Sequence, residues 1–252
     1  TEVSVNPSEA SVSWRSGRLF PGNYATRFRL SDAAGNVRHA GPFWWRVERS
    51  RPGRVWTHVP GSGGRVALTI DDCHFPGAWS SMLSTLEERN AGATFFCPGK
   101  EMLEDPGLVR RTIRDGHVIG SHGWDHANLA RMPADAVTRR LRSDARALWK
   151  IAHRTTAPYM RPPEGAYTRS TIAASGKTSH PRVILWDVDT RDWTSPGVST
   201  IVSRAVHGAR RGSIILLHTK PQTAAALPAI ISGLRERGLE PVGVPELFRA
   251  AH

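Results

Sequence analysis

Along residues 65–252, short apolar runs alternate with helical patterns, and run after run ends in a charged or polar group. No other feature of the chain restricts the fold as much. Val66-Ala67-Leu68-Thr69-Ile70 leads to Asp71-Asp72, and His117-Val118-Ile119-Gly120 leads to Ser121-His122, with His126 four places on. Pro158-Tyr159-Met160 delivers Arg161, Val183-Ile184-Leu185-Trp186 leads to Asp189 and Asp192, and Ile214-Ile215-Leu216-Leu217 delivers His218. Apolar runs near 66, 94, 118, 159, 183, 214 and 241 alternate with helical patterns at about 77–90, 106–115, 133–152, 168–176, 198–211, 222–237 and 245–251. Seven such units predict an α/β fold with parallel strands, either a barrel or an open sheet. An incomplete, distorted (β/α)7 barrel is the preferred form, because polar groups at the carboxyl ends of its strands converge on one rim.

Residues 1–50 read differently. Tyr24–Leu30 and Phe43–Val47 alternate around a turn-forming stretch at Asp32–Asn36, which predicts a hairpin in a small β segment. Pro21–Tyr24 and Ser31–Asn36 resemble the closing strands of bacterial immunoglobulin-like modules, although fifty residues are too few for a whole sandwich. The Pro- and Gly-rich stretch 51–64 has the composition of a linker, and 65–252 is the catalytic candidate.

The formal charge of +12 comes from 30 Arg and 4 Lys against 22 acidic residues. Clusters such as Arg110-Arg111-Arg114 and Arg139-Arg140-Arg142 fall in predicted helices, where a solvated face is the ordinary explanation. No recognised nucleic-acid-binding motif accompanies the charge, which argues against that partner and favours an anionic cell-wall polymer. No stretch reaches the roughly 18 apolar residues of a membrane span. The chain opens on Thr1 with no signal sequence and reads as a trimmed or mature form, so any tether would lie outside it. Its two cysteines, Cys73 and Cys97, follow the first two strands of the alternating region at equivalent ends. A disulfide, two free thiols and a soft metal ligand at Cys73 are the alternatives; the disulfide is preferred and would imply an oxidising compartment.

His122 and His126, spaced i and i+4, would share one side of a helical turn. With 11 His in the chain that spacing alone is weak evidence. The Asp71-Asp72 pair at a neighbouring strand end strengthens it, since two imidazoles and one carboxylate can hold a divalent ion and leave positions open.

These residues also carry a family resemblance. Thr69-Ile70-Asp71-Asp72-Cys73 resembles the T-F-D-D-G motif of the polysaccharide deacetylases, the NodB-homology carbohydrate esterases. His122-Gly123-Trp124-Asp125-His126 looks like their H-[ST]-x-x-H element in H-x-x-x-H form. Arg161-Pro162-Pro163-Glu164-Gly165 is similar to R-P-P-Y-G, Asp189–Trp193 to D-x-x-D-W, and Leu216-Leu217-His218 to L-x-H, all in the family's order.

The resemblance implies a secreted or cell-wall-associated enzyme that removes N-acetyl groups from an acetylated polysaccharide such as peptidoglycan or chitin. Asp72, His122 and His126 would hold a divalent ion, zinc for preference, with cobalt or nickel admissible. Asp71 would be the general base, paired with Arg161, and His218 the general acid, oriented by Asp192. Trp193 and Leu216 would wall the acetyl methyl, and the main-chain N–H of Glu164 would hold the oxyanion. Two positions depart from the motifs: Cys73 replaces a glycine, and Glu164 replaces an aromatic and must turn its carboxylate to solvent or to the substrate cleft. Taken singly, Asp192 could cap a turn, Arg161 could form a structural ion pair, and His218, Trp186 and Trp193 could be core residues. Competing activities are acetyl-ester cleavage on xylan, a non-haem iron oxygenase, and a non-catalytic glycan binder.

Overall fold

Nine parallel strands build one open sheet in this computed structural model. They are β5 (Arg54–Trp56), β6 (Arg65–Asp71), β7 (Thr94–Cys97), β8 (Val118–Ser121), β9 (Tyr159–Met160), β10 (Arg182–Ile184), β11 (Val188–Asp189), β12 (Ile214–His218) and β13 (Glu240–Val242). Their order is β11-β12-β6-β7-β8-β9-β10-β5, with β13 paired to the amino-terminal half of β6. The end strands β11 and β5 do not pair with each other, so the barrel is incomplete, as expected.

The structure describes residues 53–251 in full and, before them, only the backbone of β1 (Glu2–Asn6), β2 (Ser11–Arg15), β3 (Gly22–Ser31) and β4 (Val37–Val47). Strands β1 and β2 pair antiparallel, as do β3 and β4, the latter on the stretches where a hairpin is predicted. The intervening Asp32–Asn36 lies outside the described residues. The chain divides into two compact units, Thr1–Ser50 and Arg51–His252.

Helices α1 (Pro76–Glu88), α2 (Gly99–Glu104), α3 (Pro106–Arg114), α4 (Ala134–Ala152), α5 (Arg169–Lys177), α6 (Val198–Gly208), α7 (Pro221–Glu236) and α8 (Val244–Arg249) accompany the sheet. Prolines begin α1, α3 and α7, where a missing N–H goes unmissed. Seven of the eight follow the predicted periodicity; α2 is too short to show one.

One boundary needs correcting. Residues 54–56, expected in the 51–64 linker, form β5 alongside β10, while Val59 and Ser62 are buried. Val55 and Trp56 contribute apolar packing to the sheet, which outweighs the Pro and Gly composition around them.

Strand alternation sorts side chains into two layers. Val66, Leu68 and Ile70 of β6, Phe95 of β7, and Ile215 and Leu217 of β12 share the main core with α1 and α7. The intervening Ala67, Phe96 and Ile214 join Tyr159, Ile184 and α8 in a second core on the opposite face. Each fully buried apolar side chain of this size contributes about 1.5–3 kcal/mol. The alternation continues up the second face to Thr69 and Asp71, and to Leu216 and His218, so the polar residues stand at its carboxyl rim.

Candidate metal and catalytic site

Asp71 and His218 are direct partners across the β6–β12 ladder, and Asp71 also faces Phe96 of β7. Directly beyond β6, Asp72 and Cys73 take the left-handed conformation, with φ of 79° and 61°. A non-glycine residue there costs on the order of 1–2 kcal/mol. The Cys73–Cys97 disulfide holds this turn against the end of β7, its Cα atoms 5.3 Å apart. That bond resolves the three alternatives and removes Cys73 as a metal ligand; both cysteines are buried.

Asp72 is the centre of a cluster. Its Oδ1 lies 3.3 Å from His126 Nε2 and 3.6 Å from His122 Nε2, and one ligand atom from each residue lies within 4.8 Å of the others. Ligands about 2.0–2.1 Å from a tetrahedral zinc stand roughly 3.3 Å apart, so this spacing suits such an ion. His122 Nδ1 donates to the Arg161 carbonyl at 2.9 Å, which leaves its Nε2 lone pair directed at the cluster. Asp72 Oδ1 is buried and has no hydrogen-bond partner, an orphan that a cation between it and the imidazoles would satisfy. Burial opposes the charge on Asp72, but the two imidazoles more than offset it and hold the carboxyl far below its ordinary range. The donor set fits zinc, cobalt or nickel.

The helical turn expected over 122–126 is absent. Gly123 and His126 have φ of 74° and 57°, which a right-handed helix excludes, and the segment is a loop. Its Gly123 and Trp124 carbonyls accept from the N–H groups of Gly99 and Lys100, satisfying the first turn of α2. A side chain at Gly99 would collide with Trp124, since a Cβ there would lie 2.6 Å from the ring. Trp124 accordingly packs half-buried against the main core.

Arg161 is fully buried, and each nitrogen of its guanidinium is used. Nη1 donates to Asp71 Oδ1 at 2.6 Å, Nη2 to Thr69 Oγ1 at 2.9 Å and to the Leu185 carbonyl at 3.0 Å, and Nε to the Ile184 carbonyl at 2.9 Å. Phe96 and Trp186 flank it at 4.5 and 5.4 Å. Asp71 Oδ2 is thereby left toward the cluster, 3.8 Å from His122 Nε2.

Asp192 opens a 3-10 turn and is buried. Its Oδ1 accepts from His218 Nδ1 at 2.7 Å, and its Oδ2 accepts from the His218 main-chain N–H at 2.7 Å and from Thr223 Oγ1 at 2.6 Å. Burial works against a charged His218, yet the Asp192 bond and the nearby Asp71 and Asp72 raise its pKa above the ordinary imidazole value.

The remaining residues lie around the same centre with less contact. Leu216 is buried two places before His218, while Trp193, in the turn with Asp192, is 54% exposed. Glu164 is exposed at φ 60°, and its Oε2 accepts from Asn128 Nδ2 at 2.6 Å. That N–H makes no backbone hydrogen bond among the described residues. Thr223, Asn128 and His74, whose Nδ1 is 3.7 Å from Asp72 Oδ2, had no assigned part in the sequence reading. Thr223 carries no local signal, being placed by the fold of α7 against the Asp192 turn.

A carboxylate held by a buried guanidinium thus faces an imidazole held by a buried carboxylate at the rim of a parallel half-barrel, a pairing in which one group can accept a proton and the other donate one. The family profile described as polysaccharide deacetylase matches residues 58–182. The chain is 33% identical over 202 residues to a chitooligosaccharide deacetylase of Bradyrhizobium, covering 74% of this chain and 92% of the relative. It is also 33% identical over 186 residues to the peptidoglycan-N-acetylglucosamine deacetylase PgdA of Listeria monocytogenes, covering 73% of this chain but only 39% of that relative's length. Among solved structures, the Bc1960 peptidoglycan N-acetylglucosamine deacetylase matches with a TM-score of 0.73 at 28% identity, over 77% of this chain and 92% of that one. The chain belongs to the polysaccharide deacetylase family. A pseudoenzyme of that fold, BA3943 from Bacillus anthracis, matches at TM-score 0.73 and 23% identity over 77% of this chain and 68% of that one, so architecture alone does not decide activity.

Proposed function

We propose that this chain removes N-acetyl groups from amino sugars of a peptidoglycan- or chitin-type polymer. The observation that carries the reading is the ladder pairing of Asp71 with His218 beside the Asp72, His122 and His126 cluster. A divalent ion held by those three residues would polarise the amide carbonyl and make water more acidic, toward a pKa of about 7. Asp71, with Oδ1 fixed by Arg161, accepts the proton of the attacking water at Oδ2. As the water oxygen bonds to the acetyl carbon, the main-chain N–H of Glu164 donates to the developing oxyanion. His218, protonated and fixed through Nδ1 by Asp192, presents Nε2–H to the amide nitrogen as the carbon–nitrogen bond breaks. The products are acetate and a free amine. Trp193 and Leu216 enclose the methyl group, one open to the substrate side and one buried.

The disulfide supports action in an oxidising compartment, outside the cytoplasm or in the wall. Among the described residues no helix is long and apolar enough to cross a membrane. Acetate release should be measured on solubilised peptidoglycan, chitohexaose and acetylated xylan, with and without chelator. Chelator-sensitive release from the amino-sugar polymers is expected; release from xylan alone, or glycan binding without turnover, would overturn the reading.

A further inference from the structure

Helix α4 carries a cationic face that the hydrolytic site does not use. Arg139, Arg142, Arg146 and Lys150 recur at three- and four-residue intervals, placing them on one side of the helix, and all four are exposed. None of them pairs with a carboxylate among the described residues. Trp149 lies on the same face and is 57% exposed, with the His153 ring 5.5 Å away edge-on. Nineteen residues of helix extend this face over about 28 Å. The amino-terminal half of α4 adjoins an open cleft of about 300 Å³, lined by Trp124, Asp125, Arg139, Arg140 and Ser143. Asp125 and Arg140 pair across the cleft, which leaves Arg139 as its uncompensated charge. Trp124 and Asp125 are two of the three residues between His122 and His126, so the cleft abuts the loop that bears both histidines.

An exposed indole beside unpaired guanidinium groups is suited to one ligand chemistry in particular. The indole face stacks on a sugar ring, while guanidinium groups bind carboxylates through paired hydrogen bonds. We propose that the exposed face of α4 is a docking strip for a carboxylate-bearing glycan strand, which it holds so that an acetylated sugar reaches the His122–His126 loop. This deepens the deacetylase reading and rests on it for the fate of the bound strand, though not for binding itself. It predicts a preference for acidic peptidoglycan strands over neutral chitin oligomers, and binding that weakens as salt rises.

The test uses the full chain and two variants, the triple R139Q/R142Q/R146Q and the single W149A, each checked for an unchanged melting curve. Affinity is measured for carboxylate-bearing peptidoglycan strands, chitohexaose and a phosphate polymer of similar length, and acetate release is followed on the first two. The triple variant should bind acidic strands about ten-fold more weakly, from roughly two-fold per exposed guanidinium. Its KM on them should rise by a similar factor at unchanged kcat, with chitohexaose turnover unaltered, and W149A should weaken binding to both glycans. Equal affinity of wild type and triple variant for acidic strands would overturn the strip, as would tighter wild-type binding to the phosphate polymer. Absence of acetate release by the wild type from either glycan would instead count against the deacetylase reading, and the binding comparison would still decide the strip.

Discussion

Replacing Arg161 by Met removes a buried cation whose four hydrogen bonds end on Thr69 and Asp71 of β6, Ile184 of β10 and Leu185 just beyond it. Asp71 would sit 3% exposed without its guanidinium partner, at a cost of about 3–5 kcal/mol. The Ile184 and Leu185 carbonyls would lose donors, adding roughly 1 kcal/mol each. A total of about 5–7 kcal/mol is comparable to the whole stability of many domains, so the variant should unfold at much lower urea. Asp71→Asn alone exposes the opposite imbalance, a buried guanidinium without its carboxylate, at a similar cost. The double variant has neither charge and should lose at least about 2 kcal/mol less than the sum of the singles. Arg161→Lys should fall between wild type and Met, since it keeps the charge but not the planar fork. Equilibrium urea unfolding followed by tryptophan fluorescence measures all four. Additive losses, or an Arg161→Met variant within about 1 kcal/mol of wild type, would refute the argument that this pair is an electrostatic unit.

Because His218 is held above the ordinary imidazole value, its donating form persists until pH rises through that raised pKa, and only then does the rate fall. Asp192→Asn should move this alkaline limb to lower pH, and His218→Ala should cut kcat roughly 100- to 10,000-fold, both read from kcat/KM against pH; an unmoved limb would count against the pair. Loss of the disulfide in a Cys73→Ala/Cys97→Ala variant should lower unfolding free energy by about 3 kcal/mol for a 24-residue separation, seen as a lower urea midpoint. Asp144 is fully buried on α4, and that burial pushes its carboxyl well above the ordinary range, with Ser121 and Thr156 only partly offsetting it. The folded chain therefore keeps a proton that the unfolded chain releases above about pH 4, and stability declines as pH rises toward the folded pKa. Asp144→Asn should flatten that decline in urea midpoints taken across pH; a uniform loss at every pH would contradict the buried neutral acid.

Much of the fold was legible because apolar period and element length agreed: β6 and β12 are long enough to show alternation, and α4 and α7 to show a face. Strands β5 and β11, with three and two residues, and the six-residue α2 carry at most two apolar residues each, and tertiary pairing makes them. The site was readable where polar residues sit at strand ends, as with Asp71, Arg161 and His218. It was misread over 122–126, where equal spacing suits both a helical turn and a loop, and only the positive φ of Gly123 and His126 separates them. Partners such as Thr223 for Asp192, and the buried chain of Thr178, His180 and Thr156, join segments that no local pattern connects. His180 is buried there with its pKa lowered to about 4 by that burial, a neutral structural histidine that spacing alone could not distinguish from a ligand.

In the proposed site, Asp72, His122 and His126 share one cation that Asp71 does not bind. Metal content per chain, measured after equilibrium dialysis against zinc, tests this across wild type, Asp71→Asn, Asp72→Asn, His122→Ala and His126→Ala. One zinc should remain in wild type and in the folded fraction of Asp71→Asn, separated by size exclusion before dialysis, and the other three should lose most of it. Full occupancy in His126→Ala or Asp72→Asn, or folded Asp71→Asn protein that comes through empty, would contradict the assignment.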